Sequence, residues 1–183
     1  MYLLSKELIF PPVHLANEDG LLAIGGDLSV ERLLLAYKSG IFPWYNQGEP
    51  IIWYSPNPRM VLFPENLIIS KSMRQVIRKQ EFTITYNQNF EAVISNCKNI
   101  FRTADHGGTW ITNEMQQAYI ELHKKGIAKS VEVWLGAELV GGLYGIDLGT
   151  VFCGESMFSK VSNASKLAFI YLAQKLEKEN YKL

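Results

Sequence analysis

The 183 residues predict an α+β fold, with helices first, then an antiparallel meander, then a closing helix. Three observations predict it. Residues 71–80, 90–97, 113–122 and 164–176 place apolar side chains three and four apart, as one-sided helices do. Residues 82–86 and 129–155 alternate apolar and polar instead, interrupted at Gly136-Ala137 and Asp147–Gly149, where the chain can only turn back antiparallel. All seven prolines lie between residues 11 and 64, which confines regular structure there to short stretches between them.

Taken in order, Ser29 caps the one helix of the proline-rich part, Glu31 lies in its first turn and Gly40 stops it. The rest of that part reads as turns and extended pieces rich in aromatics, namely Phe42, Trp44, Tyr45, Trp53 and Tyr54. A boundary falls near residues 58–64, dividing the chain into a small domain, 1–60, and a larger one, 61–183. Ser70 caps a helix to about Gln80, with Met73, Val76 and Ile77 inward and Lys71, Arg74 and Arg78 on one outer stripe. Residues 82–86 form a strand, and Asn87 caps a helix with Phe90, Val93, Ile94 and Cys97 on one side. A polar loop, 98–108, ends in Gly107-Gly108. Thr112 or Asn113 begins a helix with Met115, Ala118, Tyr119 and Leu122 on one face, and Gly126 ends it. Strands at 129–135 and 138–146 flank a two-residue turn whose leading glycine suits type II′. A third strand spans 150–155, and a helix from Asn163 to about Glu179 closes the chain.

Composition excludes several classes. Eighteen Lys+Arg balance eighteen Asp+Glu, so no global field favours nucleic acid and polyanion binding requires a local patch. With 48% apolar and 20% charged residues, the chain is an ordinary globular one. No apolar run approaches ~20 residues, so no spanning helix is expected, and no signal-peptide pattern is read at the start. Cys97 and Cys153 form neither a disulfide framework nor a metal-site spacing, and read as buried thiols of a reducing compartment. His14, His106 and His123 share no nucleophile or metal spacing.

Three features carry candidate chemistry. Glu155, at the end of an apolar strand, is either a carboxylate whose apolar surroundings favour taking a proton or a structural partner of backbone amides. The aromatics Trp44, Tyr45, Trp53, Tyr54 and Trp110 either stack nucleobases or pack a domain poor in aliphatic core. The stripe Lys71, Arg74 and Arg78, with Lys79 beside it, either meets phosphates or is a solvated face. The glycine clusters 25–26 and 141–145 match neither a Walker loop nor a dinucleotide fingerprint. The first suits a tight turn, the second a bulged strand that something approaches closely.

Longer strings add a resemblance. Gly20–Ser29 (GLLAIGGDLS), Gly40–Tyr45 (GIFPWY), Trp53–Arg59 (WYSPNPR), Gly108–Ile111 (GTWI), Ser130–Trp134 (SVEVW), Leu139–Gly145 (LVGGLYG), Phe152–Ser159 (FCGESMFS) and Asn163–Lys166 (NASK) together resemble the bacterial leucyl/phenylalanyl-tRNA–protein transferases, in that family's order and spacing. The resemblance implies a small N-terminal domain joined to one like the GCN5-related N-acetyltransferases. It implies a cytoplasmic, monomeric enzyme without cofactor or metal, working in the N-end-rule degradation pathway. Its partners would be Leu-tRNA and Phe-tRNA, with Met used less efficiently, and acceptor proteins bearing an N-terminal Arg or Lys.

Carried over position by position, the resemblance implies that Trp44 and Trp110 meet the 3′-terminal adenosine, with Tyr119 in the same region. Glu155 matches the family's essential glutamate, Leu143 and Phe152 match walls of the aminoacyl side-chain pocket, and Lys71, Arg74, Arg78 and Lys79 match a basic cluster for tRNA phosphates. Family members continue beyond the position of Leu183 into a strand carrying an Asp and a Gln implicated in deprotonating the acceptor amine. The chain thus reads as a C-terminally truncated member whose aminoacyl-adenosine contacts carry over better than its turnover. An acyl-CoA N-acetyltransferase of similar fold is disfavoured, because Ser156–Asn163 contains no glycine for a pyrophosphate loop.

Overall fold

The computed structural model describes residues 2–100 and 109–183. They form two compact units, one holding 2–60 with 109–122 and the other 61–100 with 123–183. The seam at residues 60/61 is one of several crossings, because the chain returns to the first unit for most of one helix. The expected Gly107-Gly108 and His106 lie outside the described residues.

In the first unit, strands β1 (Tyr2–Leu4), β2 (Leu21–Gly25), β3 (Phe42–Pro43) and β4 (Ile52–Tyr54) form a sheet in the order β1-β2-β4-β3. The β1–β2 pair is parallel and the other two are antiparallel. The strands are two to five residues long because the prolines allow no more. Helix α1 (Val30–Lys38) begins where expected, with the Ser29 hydroxyl accepting from the Arg32 amide at 3.3 Å. The Asp27 carboxylate accepts from the Ser29 amide at 2.9 Å, and hydrogen bonding to Ser29 and the nearby Arg32 charge hold its pKa below the usual range. Buried Trp53 donates its indole N–H to the Gly25 carbonyl at 2.8 Å, fixing the turn that precedes α1. Helix α4 (Asn113–Lys124) starts with the Thr112 hydroxyl accepting from the Met115 amide at 3.1 Å.

The second unit comprises α2 (Lys71–Lys79), β5 (Thr83–Tyr86), α3 (Phe90–Asn99), β6 (Ala128–Leu135), β7 (Glu138–Asp147), β8 (Phe152–Ser159) and α5 (Ala164–Lys178). Strands β5 to β8 lie side by side in sequence order, each antiparallel to the next. Together with the helices this is the α+β class the patterning predicts. One sheet face buries Val131, Val133, Val140 and Leu143 against Leu167, Ala168 and Leu172 of α5 and Met73 of α2. Phe90 of α3 meets Tyr144 edge-on at 5.7 Å. Gly136 has φ +60° at the head of the β6–β7 turn, as type II′ requires.

Two local readings are corrected. The cap of α3 is Asn89, whose side-chain oxygen accepts from the Ala92 amide at 3.3 Å. Asn87 instead sits at φ +57° and accepts from the Ser130 amide at 2.9 Å. Strand β8 runs to Ser159 rather than stopping at 155, because the apolar–polar alternation is broken by a bulge and not by a turn. A third feature was not read from the sequence. Glu132 is fully buried, accepts from the Thr85 and Ser130 hydroxyls at 2.6 and 2.5 Å, and faces the amides that open α3.

After α5, the Tyr181 hydroxyl donates to the Asp147 carboxylate at 2.7 Å and ties the chain to the β7–β8 turn. Burial first, then this bond and the Asp147 and Glu179 charges, push the phenol pKa up to about 12. The folded state therefore favours the protonated phenol. Its contribution is complete below the unfolded value of ~10 and is lost as pH rises toward the folded value. The stability advantage of the native chain over Tyr181→Phe is expected to shrink between pH 9 and 12 in thermal melts. A constant difference across that range would contradict the assignment.

Candidate functional site

Glu155 stands at a break in the ladder. Tyr144 of β7 pairs with Ser156 and the next residue, Gly145, pairs with Gly154, so Glu155 is the extra residue of a bulge. A bulge re-aims the side chain it carries and unpairs its backbone locally, a device common beside active sites. The glycine opposite is required by packing. A Cβ on Gly145 would lie 2.3 Å from the Cys153 carbonyl oxygen and 2.5 Å from the Phe152 ring. The close approach expected at the 141–145 cluster is therefore made by β8 itself, and at Gly141 by Ala164 at the start of α5, 2.5 Å from a Cβ there. Glu155 is half-buried.

Leu143 and Phe152 flank this bulge on neighbouring strands. Leu143 is buried in the cluster beneath α5, and Phe152 packs against the same cluster while remaining partly exposed. Glu155, Leu143 and Phe152 thus stand on the paired strands β7 and β8. A groove of about 380 Å³ in this unit lies elsewhere, between α2, β5 and α5, and is lined by Val76, Ile77, Phe82 and Tyr171 among others.

The aromatics of the first unit separate into two groups. Trp53 and Tyr45 are buried and structural, as packing of a small domain demands. Trp44 is 54% exposed, although it lies between the buried Pro43 and Tyr45. It lies at the end of β3 because its amide donates to the Ile52 carbonyl at 2.9 Å, which aligns it with Tyr54 at a ring distance of 6.0 Å. Trp110 is half-buried and opens a turn in which its carbonyl accepts from the Thr112 amide at 3.0 Å. The Tyr45 hydroxyl lies 3.4 Å from the Thr112 hydroxyl, which joins the segments following the two tryptophans. Burial raises the Tyr45 pKa, so the phenol stays neutral.

Tyr119 is fully buried, with its hydroxyl bonded to that of Tyr37 and the rings edge-on at 6.5 Å. Tyr37 was missed as a partner. Its place on the inward face of α1, four residues after buried Leu33, was the available signal.

Lys71, Arg74, Arg78 and Lys79 are all exposed on α2. They are not equivalent. Arg74 Nε donates to the Ile69 carbonyl at 3.0 Å, and Lys79 lies 3.8 Å from the Glu81 carboxylate. Lys71 and Arg78 have no ion-pair partner among the described residues. If the stripe meets phosphates, Lys71→Ala, Arg74→Ala and Arg78→Ala combined flatten the slope of log affinity for tRNA against log salt by roughly 2. An unchanged slope would make it a solvated face.

Among the described residues no cluster of three or more His, Cys, Asp or Glu is placed to hold a metal, and no helix is long and apolar enough to cross a membrane.

Comparison with known proteins places the chain in a family. The model of the leucyl/phenylalanyl-tRNA protein transferase family matches residues 61–183, and that of its N-terminal domain matches 26–57. A leucyl/phenylalanyl-tRNA–protein transferase of Flavobacterium johnsoniae is 69% identical over the whole chain, which spans 86% of that protein. Its counterpart in Christiangramia forsetii is 60% identical, again over the whole chain and 87% of the relative. That of Pseudomonas fluorescens is 52% identical over the whole chain and 80% of the relative. With two domain models in order and such identity from end to end, the chain belongs to the leucyl/phenylalanyl-tRNA protein transferase family, whose members are aminoacyltransferases.

Proposed function

We propose that the protein moves Leu or Phe, and less efficiently Met, from aminoacyl-tRNA to the N-terminal Arg or Lys of acceptor proteins in the cytoplasm, marking them for N-end-rule degradation. The observation that supports this most is the match over the whole chain to a transferase at 69% identity. The domain assignment belongs to the same reading, with residues 1–60 as the small N-terminal part and 61–183 as the acetyltransferase-like part.

The chemistry suits such a site. The donor ester is already activated, so an acceptor α-amine of pKa ~7.7–8.0 can attack its carbonyl without a cofactor. A C–N bond forms, the C–O bond to the ribose breaks, and the amine proton ends on the departing hydroxyl. The protein has to orient amine and ester, relay that proton and steady the oxyanion. In this reading Glu155 accepts a hydrogen bond from the incoming amine and serves as the proton's first stop. Phe152, partly exposed, offers an apolar wall to the donor side chain, with buried Leu143 behind it, and shape then selects at ~1–3 kcal/mol per methylene. Trp44 and Trp110 take the terminal adenosine, and the α2 stripe takes tRNA phosphates. Tyr119, being buried, supports that region through Tyr37 rather than offering an open face.

Puromycin, an aminoacyl-adenosine analogue, tests the donor half of this reading. Trp44→Ala and Trp110→Ala are each expected to weaken its binding by about the worth of one stacked ring, ~1–3 kcal/mol. Unchanged affinity in both folded variants would return the tryptophans to a packing role.

A further inference from the structure

We propose that Phe42, Tyr54 and Arg59 form a second nucleotide-binding platform, adjoining Trp44, that holds the single-stranded nucleotides just upstream of the terminal adenosine. The inference rests on the proposed use of Trp44 and extends it.

The rings of Phe42 and Tyr54 are cross-strand partners of β3 and β4 and lie nearly parallel, with centroids 6.1 Å apart and planes at 23°. Tyr54 in turn neighbours Trp44 at 6.0 Å. At the other end, the Arg59 guanidinium covers Phe42 at 4.9 Å from the ring centre. Arg59, Phe42, Tyr54 and Trp44 thus make one continuous π strip across a single unit. None of the four is buried. Cross-strand neighbours and the two-residue period explain why Phe42 and Trp44 share a face.

Ordinary packing does not account for the strip. The unit's core is built from Trp53, Leu22, Leu33 and Ile41, all essentially inaccessible, so these further rings are not needed to fill it. The strip also has a polarity. Arg59 donates one N–H to the Gly40 carbonyl at 3.0 Å, which fixes the guanidinium over the ring, and it has no ion-pair partner among the described residues. At the Trp44 end, the Glu49 carboxylate of the β3–β4 loop is occupied by the amide and side chain of Asn46, at 2.9 and 3.1 Å.

Aromatic faces plus a fixed, unneutralised cation match a ligand that alternates flat bases with phosphates. They match an acceptor peptide beginning with Arg or Lys poorly, because its positive side chain and amine would meet Arg59. The occupant is therefore nucleic acid. Bases stack on Tyr54 and Phe42, and a phosphate pairs with Arg59.

The test compares two donors, amide-linked phenylalanyl-adenosine and the same group on a cytidine-cytidine-adenosine trinucleotide. The wild-type chain should bind the trinucleotide donor at least tenfold more tightly. In Phe42→Leu and Arg59→Gln, with folding checked by circular dichroism, that ratio should fall about tenfold for the ring, one stacked base, and less for the charge. The inference is overturned if the wild type binds phenylalanyl-adenosine but gains nothing from the two cytidines. It is equally overturned if both folded variants keep the wild-type ratio, or if an Arg-starting peptide competes with the trinucleotide extension. Binding of neither donor by the wild type would overturn the functional reading and this inference with it.

Discussion

Glu155→Gln is expected to lower the rate of aminoacyl transfer by about 10²–10⁴-fold, the usual worth of a positioned proton acceptor. The substitution keeps size and hydrogen-bonding capacity but removes the negative charge that would receive the amine proton. Puromycin binding should change far less, because the proposed function gives the adenosine contacts to Trp44 and Trp110. The pH profile gives the sharper reading. The variant's deficit should shrink as pH rises and more of the acceptor amine is already free. A rate within threefold of wild type near neutral pH would show that another group takes the proton and that the bulge only shapes the strand.

Gly145→Ala unfolds the site more than it alters its chemistry. Its new methyl group would sit 2.3 Å from the Cys153 carbonyl, and backbone in a paired strand has nowhere to retreat. Overpacking of this kind costs about 3 kcal/mol, roughly 10 °C in melting temperature for a chain of this size. The register partner provides the control. A Cβ on Gly154 meets nothing within 4 Å, so Gly154→Ala should leave the melting temperature nearly unchanged. Equal melting temperatures for the two variants would mean that the bulge is not held by this contact.

Much of the fold was legible because local chemistry and tertiary structure agree. Ser29 and Ser70 cap α1 and α2 as their sequence context demands, and Gly136 turns the β6–β7 hairpin. Asn87 misled because two asparagines stand near the helix start, and only the Ser130 amide on β6 decides which one caps. The first sheet was invisible as a sheet. Its strands are too short to show alternation, and pairing β1 with β2 is a long-range event. Glu132 went unnoticed for a similar reason, since its partners come from β5, β6 and the start of α3.

The candidate site divided along the same line. Glu155 was conspicuous as a carboxylate among apolar neighbours, but its bulge needed the register of two strands. The sequence could not say which aromatics are packed and which are open. The fold decides it, burying Tyr45 and Trp53 and leaving Trp44 and Tyr54 accessible. The similarity to known transferases covers the whole chain, yet the division of labour between its rings comes only from the fold.

The most direct measurement is transfer of labelled Phe from Phe-tRNA to a peptide beginning with Arg, followed beside the same peptide with its N-terminus acetylated. The account predicts label in a new peptide bond on the free peptide and none on the acetylated one, with Glu155→Gln strongly slowed. Tight binding of Phe-tRNA with no peptide product above the spontaneous rate would contradict it, as would labelling that ignores acetylation.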